Sequence, residues 1–173
     1  MRKLKISLNV VWGEKKAVRL LQWLANENAA LMAAHPDWPL LYDSGVFYRR
    51  EKGRELWLDV AGILEQGHDD CDGLAAARAG ELMARGWKAM RPGDEGWDYA
   101  NRHRPEHIQS EIYLRTRTTP DKPGLYHVVP RYKLGDTWFK DDPSARLGMY
   151  GGRVPEAQCR RWKAAGRKSC RVQ

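Results

Sequence analysis

The chain has few cysteines and no long hydrophobic run. Its three cysteines, Cys71, Cys159 and Cys170, are an odd number spread over 173 residues, which is a poor disulfide framework and favours a reducing compartment. No stretch approaches the roughly 18 apolar residues of a membrane helix, and the start at residues 1–4 lacks the apolar core of a signal peptide. We therefore expect a cytoplasmic protein without a membrane partner, in which Cys71 is free to react.

Aromatic residues are abundant although phenylalanine is nearly missing. Eight Trp and seven Tyr accompany only two Phe, and 42% of the residues are hydrophobic, which is enough for a packed core without disulfides or a metal. The length is typical of one domain, which we expect over residues 1–154. A basic helix or tail follows at 155–173 with six Arg or Lys and one Glu. This segment is either solvated or contacts nucleic acid or an acidic partner.

Periodicity predicts helices in the first half of the chain and strands in the second. Apolar residues alternate over 4–12, which indicates a half-buried strand, and recur at helical spacing over 14–34. Asp59 caps a short helix that ends at Gly67, and the aperiodic segment 91–107 is interpreted as a long loop. Three further strands are predicted at 109–116, 125–132 and 137–142. Together these elements predict an α+β fold with an antiparallel sheet.

Cys71 stands at the predicted start of a helix. Residues 71–85 place leucines and alanines at helical spacing, and Gly86 occupies the C-terminal capping position. Unpaired N–H groups and the positive end of the helix dipole favour the thiolate, which attacks carbonyl carbons, whereas the acidic neighbours Asp70 and Asp72 oppose it. The alternative interpretation is a small buried hydrophobe, which is what most cysteines are.

A cysteine nucleophile needs a base and a group that orients the base, and His127 and Asp142 fit these two roles. A two-residue turn that pairs Lys133 with Asp136 would also pair His127 with Asp142 in the same register. The imidazole and the carboxylate would then be direct cross-strand neighbours. One bulged residue would change this register and would put Asp141 in the place of Asp142.

The oxyanion of a tetrahedral intermediate needs hydrogen-bond donors. The backbone N–H of Cys71 is the first candidate. The side-chain amide of Gln66 is the preferred second donor, with His68 and the indole of Trp57 as alternatives. We also expect Trp57 and Trp97 to line a substrate cleft, with the packing of Trp97 as an anchor of its loop as the other interpretation.

Metal ligands crowd around the cysteine, at His68, Asp69, Asp70, Cys71 and Asp72. A calcium loop is disfavoured because its first and twelfth positions would be His68 and Ala79. Zinc is disfavoured because paired cysteines are missing and Pro105 interrupts any helix that would align His103 with His107. We therefore expect neither a metal nor a cofactor.

The order of cysteine, histidine and aspartate resembles the transglutaminase-like branch of the papain-like cysteine peptidases. The resemblance spans about residues 42–150 and is closest to small transglutaminase-like proteins of bacteriophages and related mobile elements. It rests on the segments 67–75, 126–129 and 142–149 together with Arg78, Glu81 and Leu82. It implies an α+β, papain-like fold in which a nucleophile-bearing helix packs on an antiparallel β-sheet. The catalytic residues that it implies are Cys71, His127 and Asp142.

Two functions are compatible with these features. The first is cysteine-dependent acyl transfer on a protein or peptide substrate, as in a peptidase, an amidase or a transglutaminase. The alternative is a catalytically inactive papain-like fold that serves as a structural or docking component of a phage-derived particle. In the second case the basic segment 155–173 contacts phage structural proteins or nucleic acid. The expected location is the host cytoplasm or a phage particle.

Overall fold

The computed structural model describes residues 13–50, 56–119, 122–149, 153–154, 156–164, 166 and 170–172 and has a mixed α+β fold. The helices in these ranges are α1 (Glu14–Ala34), α2 (Val60–Gln66), α3 (Cys71–Arg85), α4 (Trp97–His103), α5 (Pro143–Arg146) and α6 (Glu156–Ala164). The strands are β1 (Phe47–Tyr48), β2 (His68–Asp69), β3 (Ser110–Thr119), β4 (Lys122–Leu134), β5 (Thr137–Lys140), β6 (Arg153–Val154) and β7 (Arg171–Val172). The strand predicted at 4–12 lies outside the described residues.

Helices α2 and α3 begin and end where the sequence predicts. The Asp59 carboxylate accepts the backbone N–H of Gly62 at 2.7 Å, and α2 ends at Gly67, whose φ of 77° is the left-handed conformation that glycine adopts without strain. Asp70 caps α3 through a backbone N–H of its first turn, and Gly86 ends that helix with a φ of 54°. Both predictions are confirmed, and Cys71 is the first residue of its helix.

Helix α1 packs closely against α3 because Gly80 has no side chain. A β-carbon at Gly80 would lie 2.6 Å from the β-carbon of Asn28 and 2.8 Å from the carbonyl oxygen of Ala25. The buried Asn28 also accepts the backbone N–H of Val60 through its side-chain oxygen at 2.8 Å. The pair of helices therefore holds the start of α2 and gives α3 a rigid support.

Strands β3, β4 and β5 form an antiparallel sheet, but the turn between β4 and β5 differs from the predicted one. Leu134 pairs with Thr137, so the two turn residues are Gly135 and Asp136. The reason is that the first position of such a turn needs a positive φ, which Gly135 supplies at 57°. The predicted direct pairing of His127 with Asp142 is therefore wrong. Each residue of β4 pairs with a residue of β5 two positions later than predicted. Because the shift is an even number, each side chain stays on the face of the sheet that was predicted for it.

The segment predicted as a loop at 91–107 contains helix α4. Its Ala100 is fully buried, and Trp97 packs against a cluster that includes Leu82, Tyr132 and Leu134. Cys71 packs instead against a second cluster, formed by α1, α3 and the inner face of β3 and β4. The prediction that Trp97 lines a cleft beside the cysteine gains no support, whereas its interpretation as a packed anchor agrees with the structure.

The described part of the basic C-terminal segment contains helix α6, which packs on the core. Trp162 of α6 is completely buried, and its indole N–H donates to the carbonyl oxygen of Val46 at 2.9 Å. Cys159, also buried, forms a disulfide with Cys170 at a Cα–Cα distance of 5.8 Å. The expectation of a poor disulfide framework is therefore wrong for this pair, while Cys71 is free as expected. Within the described ranges, every helix is too short or too polar to cross a lipid bilayer.

Candidate active site

His127 and Asp142 are hydrogen-bonded, although not as cross-strand partners. The imidazole Nε2 lies 2.8 Å from Oδ2 of Asp142. Asp142 stands just beyond β5 as the N-cap of α5, where its Oδ1 accepts the backbone N–H of Ala145 at 2.9 Å. The carboxylate is thus held by a helix start on one oxygen and by the imidazole on the other.

The second ring nitrogen of His127 is buried and has no hydrogen-bond partner among the residues that the structure describes. The side chain is only 1% exposed, so water does not replace the missing partner at the surface. When Nε2 donates its hydrogen to the carboxylate, Nδ1 of the neutral ring is an acceptor. A buried acceptor without a donor is unfavourable, and it is the atom through which a base would take a proton.

The sulfur of Cys71 lies against the edge of β4 where β5 has ended. The N–H of Asp141 donates to the carbonyl of Pro130 at 3.1 Å, so even-numbered backbone groups of β4 face the β5 side. The N–H of Val128 points to that side beyond the end of β5, and it donates a hydrogen bond to the Cys71 sulfur. The thiol is therefore adjacent to the residue that follows His127 in the chain.

The thiol itself interacts with an acidic side chain rather than with the imidazole. The Cys71 sulfur lies 3.7 Å from Oδ1 of Asp72, whose Oδ2 accepts the indole N–H of Trp57 at 2.8 Å. Among the described residues, no hydrogen bond joins this sulfur to His127. Burial, followed by the charge of Asp72, raises the pKa of Cys71 to about 12. The sequence-based expectation of a favoured thiolate is therefore wrong for the resting state.

The start of α3 is fixed by a tight acidic turn. Asp69 is buried, and its Oδ1 accepts the N–H of Asp70 at 2.9 Å. A β-carbon at Gly73 would overlap the Asp69 carboxylate, so only glycine lets the first turn of the helix approach it. The backbone N–H of Cys71 is one of those at the helix start that have no intrahelical acceptor.

Gln66 is engaged with its neighbour. Its side-chain amide donates to the carbonyl of His68 and contacts Nδ1 of the same histidine, both at 3.1 Å. The other ring nitrogen of His68 lies 3.1 Å from a guanidinium nitrogen of Arg49. Burial and the Arg49 charge lower the pKa of His68. The amide of Gln66 is directed at this histidine, which gives no support to its predicted oxyanion role.

Tyr48 belongs to the site but was missed in the sequence. Its strand β1 runs parallel to β2, where Tyr48 pairs with Asp69, two residues before the cysteine. Burial, followed by the negative charges that Cys71 and Asp70 can carry, raises the pKa of Tyr48 to about 12. Its hydroxyl therefore stays protonated at neutral pH. A two-residue strand gives no alternation that would have revealed it.

Asp70, Cys71 and Asp72 form the single group within the described ranges whose ligand atoms lie close enough to hold one metal ion, all within 4.8 Å of one another. Two of the three are already engaged, because Asp72 accepts from the Trp57 indole and Asp70 caps α3.

The chain matches no model of a known protein family, and no curated protein or solved structure is significantly similar to it. Its function must therefore be argued from the side chains of the site.

Proposed function

We propose that the chain is a cysteine-dependent acyl transferase or hydrolase in which Cys71 is the nucleophile, His127 the base and Asp142 the group that orients the base. The observation that carries the proposal is the 2.8 Å contact of His127 Nε2 with Asp142, which leaves Nδ1 buried and without a partner among the described residues, in the residue that precedes the Val128 N–H bound to the Cys71 sulfur. Such an imidazole has one nitrogen oriented and the other ready to accept a proton.

Catalysis begins when the Cys71 side chain turns from Asp72 to the imidazole and transfers its proton to Nδ1. The thiolate then attacks a peptide or carboxamide carbonyl, and the oxyanion receives the backbone N–H of Cys71. Collapse of the tetrahedral intermediate breaks the C–N bond, and the imidazolium returns the proton to the leaving amine. Water or a second amine resolves the thioester.

Substrate binding has a specific task in this mechanism. A thiol with a pKa of about 12 is rarely ionised at neutral pH, so the resting arrangement is protected from oxidation and alkylation. A substrate that displaces the thiol from Asp72 would place it against Nδ1 of His127, where the resulting ion pair is stabilised by Asp142. Activity would then depend on an occupied site.

The arrangement of helix α3 on the sheet is compatible with the fold that the resemblance implies. A helix that presents a thiol at its first residue packs against an antiparallel sheet whose central strand carries the imidazole, as a papain-like, transglutaminase-like fold requires. We include this fold in the proposal.

The test uses an activated acyl donor, p-nitrophenyl acetate, with the non-reduced protein. We expect release of p-nitrophenolate and an acetyl group on Cys71 in the intact mass after an acid quench. Cys71→Ala should abolish the adduct and His127→Ala should reduce it, whereas His68→Ala is the matched control because that histidine contacts Arg49 and Gln66 instead. An adduct that persists in Cys71→Ala, or equal rates for His127→Ala and the unaltered chain, would contradict the proposal.

A second candidate function is an inactive docking component of a phage-derived particle. It is favoured by the contact of the thiol with Asp72 and by the exposed cations of α6, of which the Arg160 side chain is 69% exposed.

Deleting the basic segment 155–173 would remove the buried Trp162, so the test of this candidate is the double charge reversal Arg161→Glu and Lys163→Glu. Salt-dependent binding to a fluorescent DNA duplex should weaken in this variant and not in Arg102→Glu, an exposed cation on α4. Equal binding by both variants would remove this candidate.

A further inference from the structure

Arg78 is a completely buried cation on helix α3. Its Nε donates to Oδ2 of Asp141 at 2.7 Å, its Nη1 to Oε2 of Glu81 at 2.5 Å, and its Nη2 to Oδ2 of Asp94 at 3.3 Å. The same Nη1 also lies 2.8 Å from the carbonyl oxygen of Ala89. Buried ion pairs of this kind contribute little net stability, because the cost of desolvating the charges offsets their attraction. A role in positioning the bound residues therefore explains Arg78 better than a contribution to stability.

Arg78 lies on the same face of α3 as Cys71. The two residues are seven positions apart, which is two helical turns and about 10 Å along the axis. The helix is rigidly supported by α1 through the close approach at Gly80. A residue that Arg78 holds in place is therefore also held at a fixed position relative to the Cys71 thiol.

Asp141 connects this helix to the sheet and to the residue that orients the base. Its side chain is bound to Arg78, and its backbone N–H is bound to the carbonyl of Pro130 on β4. The next residue is Asp142, whose carboxylate contacts His127. Because only one peptide unit separates the two aspartates, anchoring the first restricts where the second can place its carboxylate.

Helix α5 is held from the other side by the same cluster. Arg146 binds Asp94, which also binds Arg78. Both guanidiniums lie over the ring of Tyr42, that of Arg78 at 4.6 Å and that of Arg146 at 4.0 Å from the ring centre. The short segment that contains Asp142 is therefore bound at both ends to the cluster around Arg78, through Asp141 at one end and Arg146 at the other.

We infer that Arg78 and Asp141 are positioning residues. Arg78, on the helix that carries Cys71, binds Asp141 and thereby fixes the Asp142 carboxylate against His127. This inference rests on the proposed function, since it assigns a purpose to the geometry of the same site. Neither residue touches the reacting atoms. Both act by holding Asp142, so their loss should misorient the imidazole in a chain that still folds.

The variants separate this role from general stability. Asp141→Ala removes the anchor, and Asp141→Asn keeps an oxygen that can accept from Arg78. Glu81→Gln is the matched control, because it neutralises another buried carboxylate bound to Arg78 without touching α5. Arg78→Lys is the second test variant, since it keeps the charge but cannot reproduce the several directed donors. Folding of each variant is checked by far-UV circular dichroism and urea unfolding.

The direct readout is the exchange-protected, downfield ring N–H proton of His127 in nuclear magnetic resonance spectra, assigned with His127→Ala. We expect Asp141→Ala and Arg78→Lys to lose this signal and to acylate Cys71 about tenfold more slowly, while Asp141→Asn and Glu81→Gln keep both properties. Retention of the signal in a folded Asp141→Ala or Arg78→Lys chain would overturn the inference. So would its loss in Glu81→Gln, because the effect would then be general loosening.

The two hypotheses fail differently. If the unaltered chain shows the His127 proton but never acylates Cys71, the proposed function fails while the positioning of Asp142 is still measured by the signal. If the chain acylates Cys71 with dependence on His127 but Arg78→Lys and Asp141→Ala leave both rate and signal unchanged, the function stands and the inference fails.

Discussion

His127 and Asp142 are joined by a 2.8 Å hydrogen bond even though β5 ends two residues before Asp142. The carboxylate belongs to the N-cap residue of helix α5 and not to a strand partner of His127. Asp142 thus has two separable tasks, because one carboxylate oxygen caps α5 and the other binds the imidazole.

Substituting Asp142 should separate the two tasks. Serine is a good N-cap, so Asp142→Ser should leave stability nearly unchanged while it removes the carboxylate from His127. Asp142→Ala loses both contacts and should also lower the free energy of unfolding by about 1 kcal/mol. Urea unfolding and Cys71 acylation by p-nitrophenyl acetate measure the two effects. Full acylation by Asp142→Ser would show that the carboxylate does not orient the base.

The charge of Asp72 should restrain the thiol. A neighbouring negative charge disfavours the thiolate, so Asp72→Asn should lower the pKa of Cys71 from about 12. A decrease of one unit gives about tenfold more thiolate at a fixed pH below the pKa. Alkylation by iodoacetamide at pH 8 measures it. Trp57→Phe is the control, since it removes the indole donor but keeps the carboxylate, and it should not accelerate alkylation. Equal rates for Asp72→Asn and the unaltered chain would contradict this account.

The local signals in the sequence predicted most elements that present the site. Capping residues and periodicity located α2 and α3 because these signals act over a few neighbouring residues, and the turn residues of β4 and β5 were misplaced by only one position. Helix α4 was missed because glycine and proline flank it closely and its stability comes from packing of Trp97 and Ala100 on distant residues.

Sequence patterns could not predict the parts of the site that depend on tertiary contacts. The contact of His127 with Asp142 was expected, but for a wrong reason, since the N-cap of α5 makes it. The direction of the thiol depends on the Trp57 contact with Asp72, which joins residues 15 apart. The disulfide of Cys159 with Cys170 forms because α6 packs into the core, which composition could not predict.

Gly73 should not tolerate even alanine. The added β-carbon would overlap the buried Asp69 carboxylate, so the first turn of α3 or the turn before it must move. Overpacking of this kind typically costs about 1–3 kcal/mol. Urea unfolding measures the loss, and acylation of Cys71 should fall with it. Gly13→Ala is the control, because its β-carbon would meet no atom of the described residues within 4 Å, and a comparable loss there would refute the argument.

Trp162 should be essential for stability although it lies in a basic segment. The side chain is fully buried and donates to Val46, so Trp162→Ala should lower the free energy of unfolding by about 3–5 kcal/mol. The exposed neighbour Arg161 is the matched control, and Arg161→Ala should change stability by no more than about 0.5 kcal/mol. Thermal unfolding of both variants provides the comparison. A similar small effect for both would mean that α6 does not pack on the core.

The pH dependence of Cys71 acylation by p-nitrophenyl acetate, with and without His127, tests the central claim most directly. An isolated thiol with a pKa of about 12 reacts faster only as the pH rises toward that value. If a bound acyl donor turns the thiol to His127, acylation of the unaltered chain should show an additional plateau near neutral pH that His127→Ala lacks, leaving only the rise at high pH. Superimposable profiles for the two chains would contradict the proposed catalytic pair.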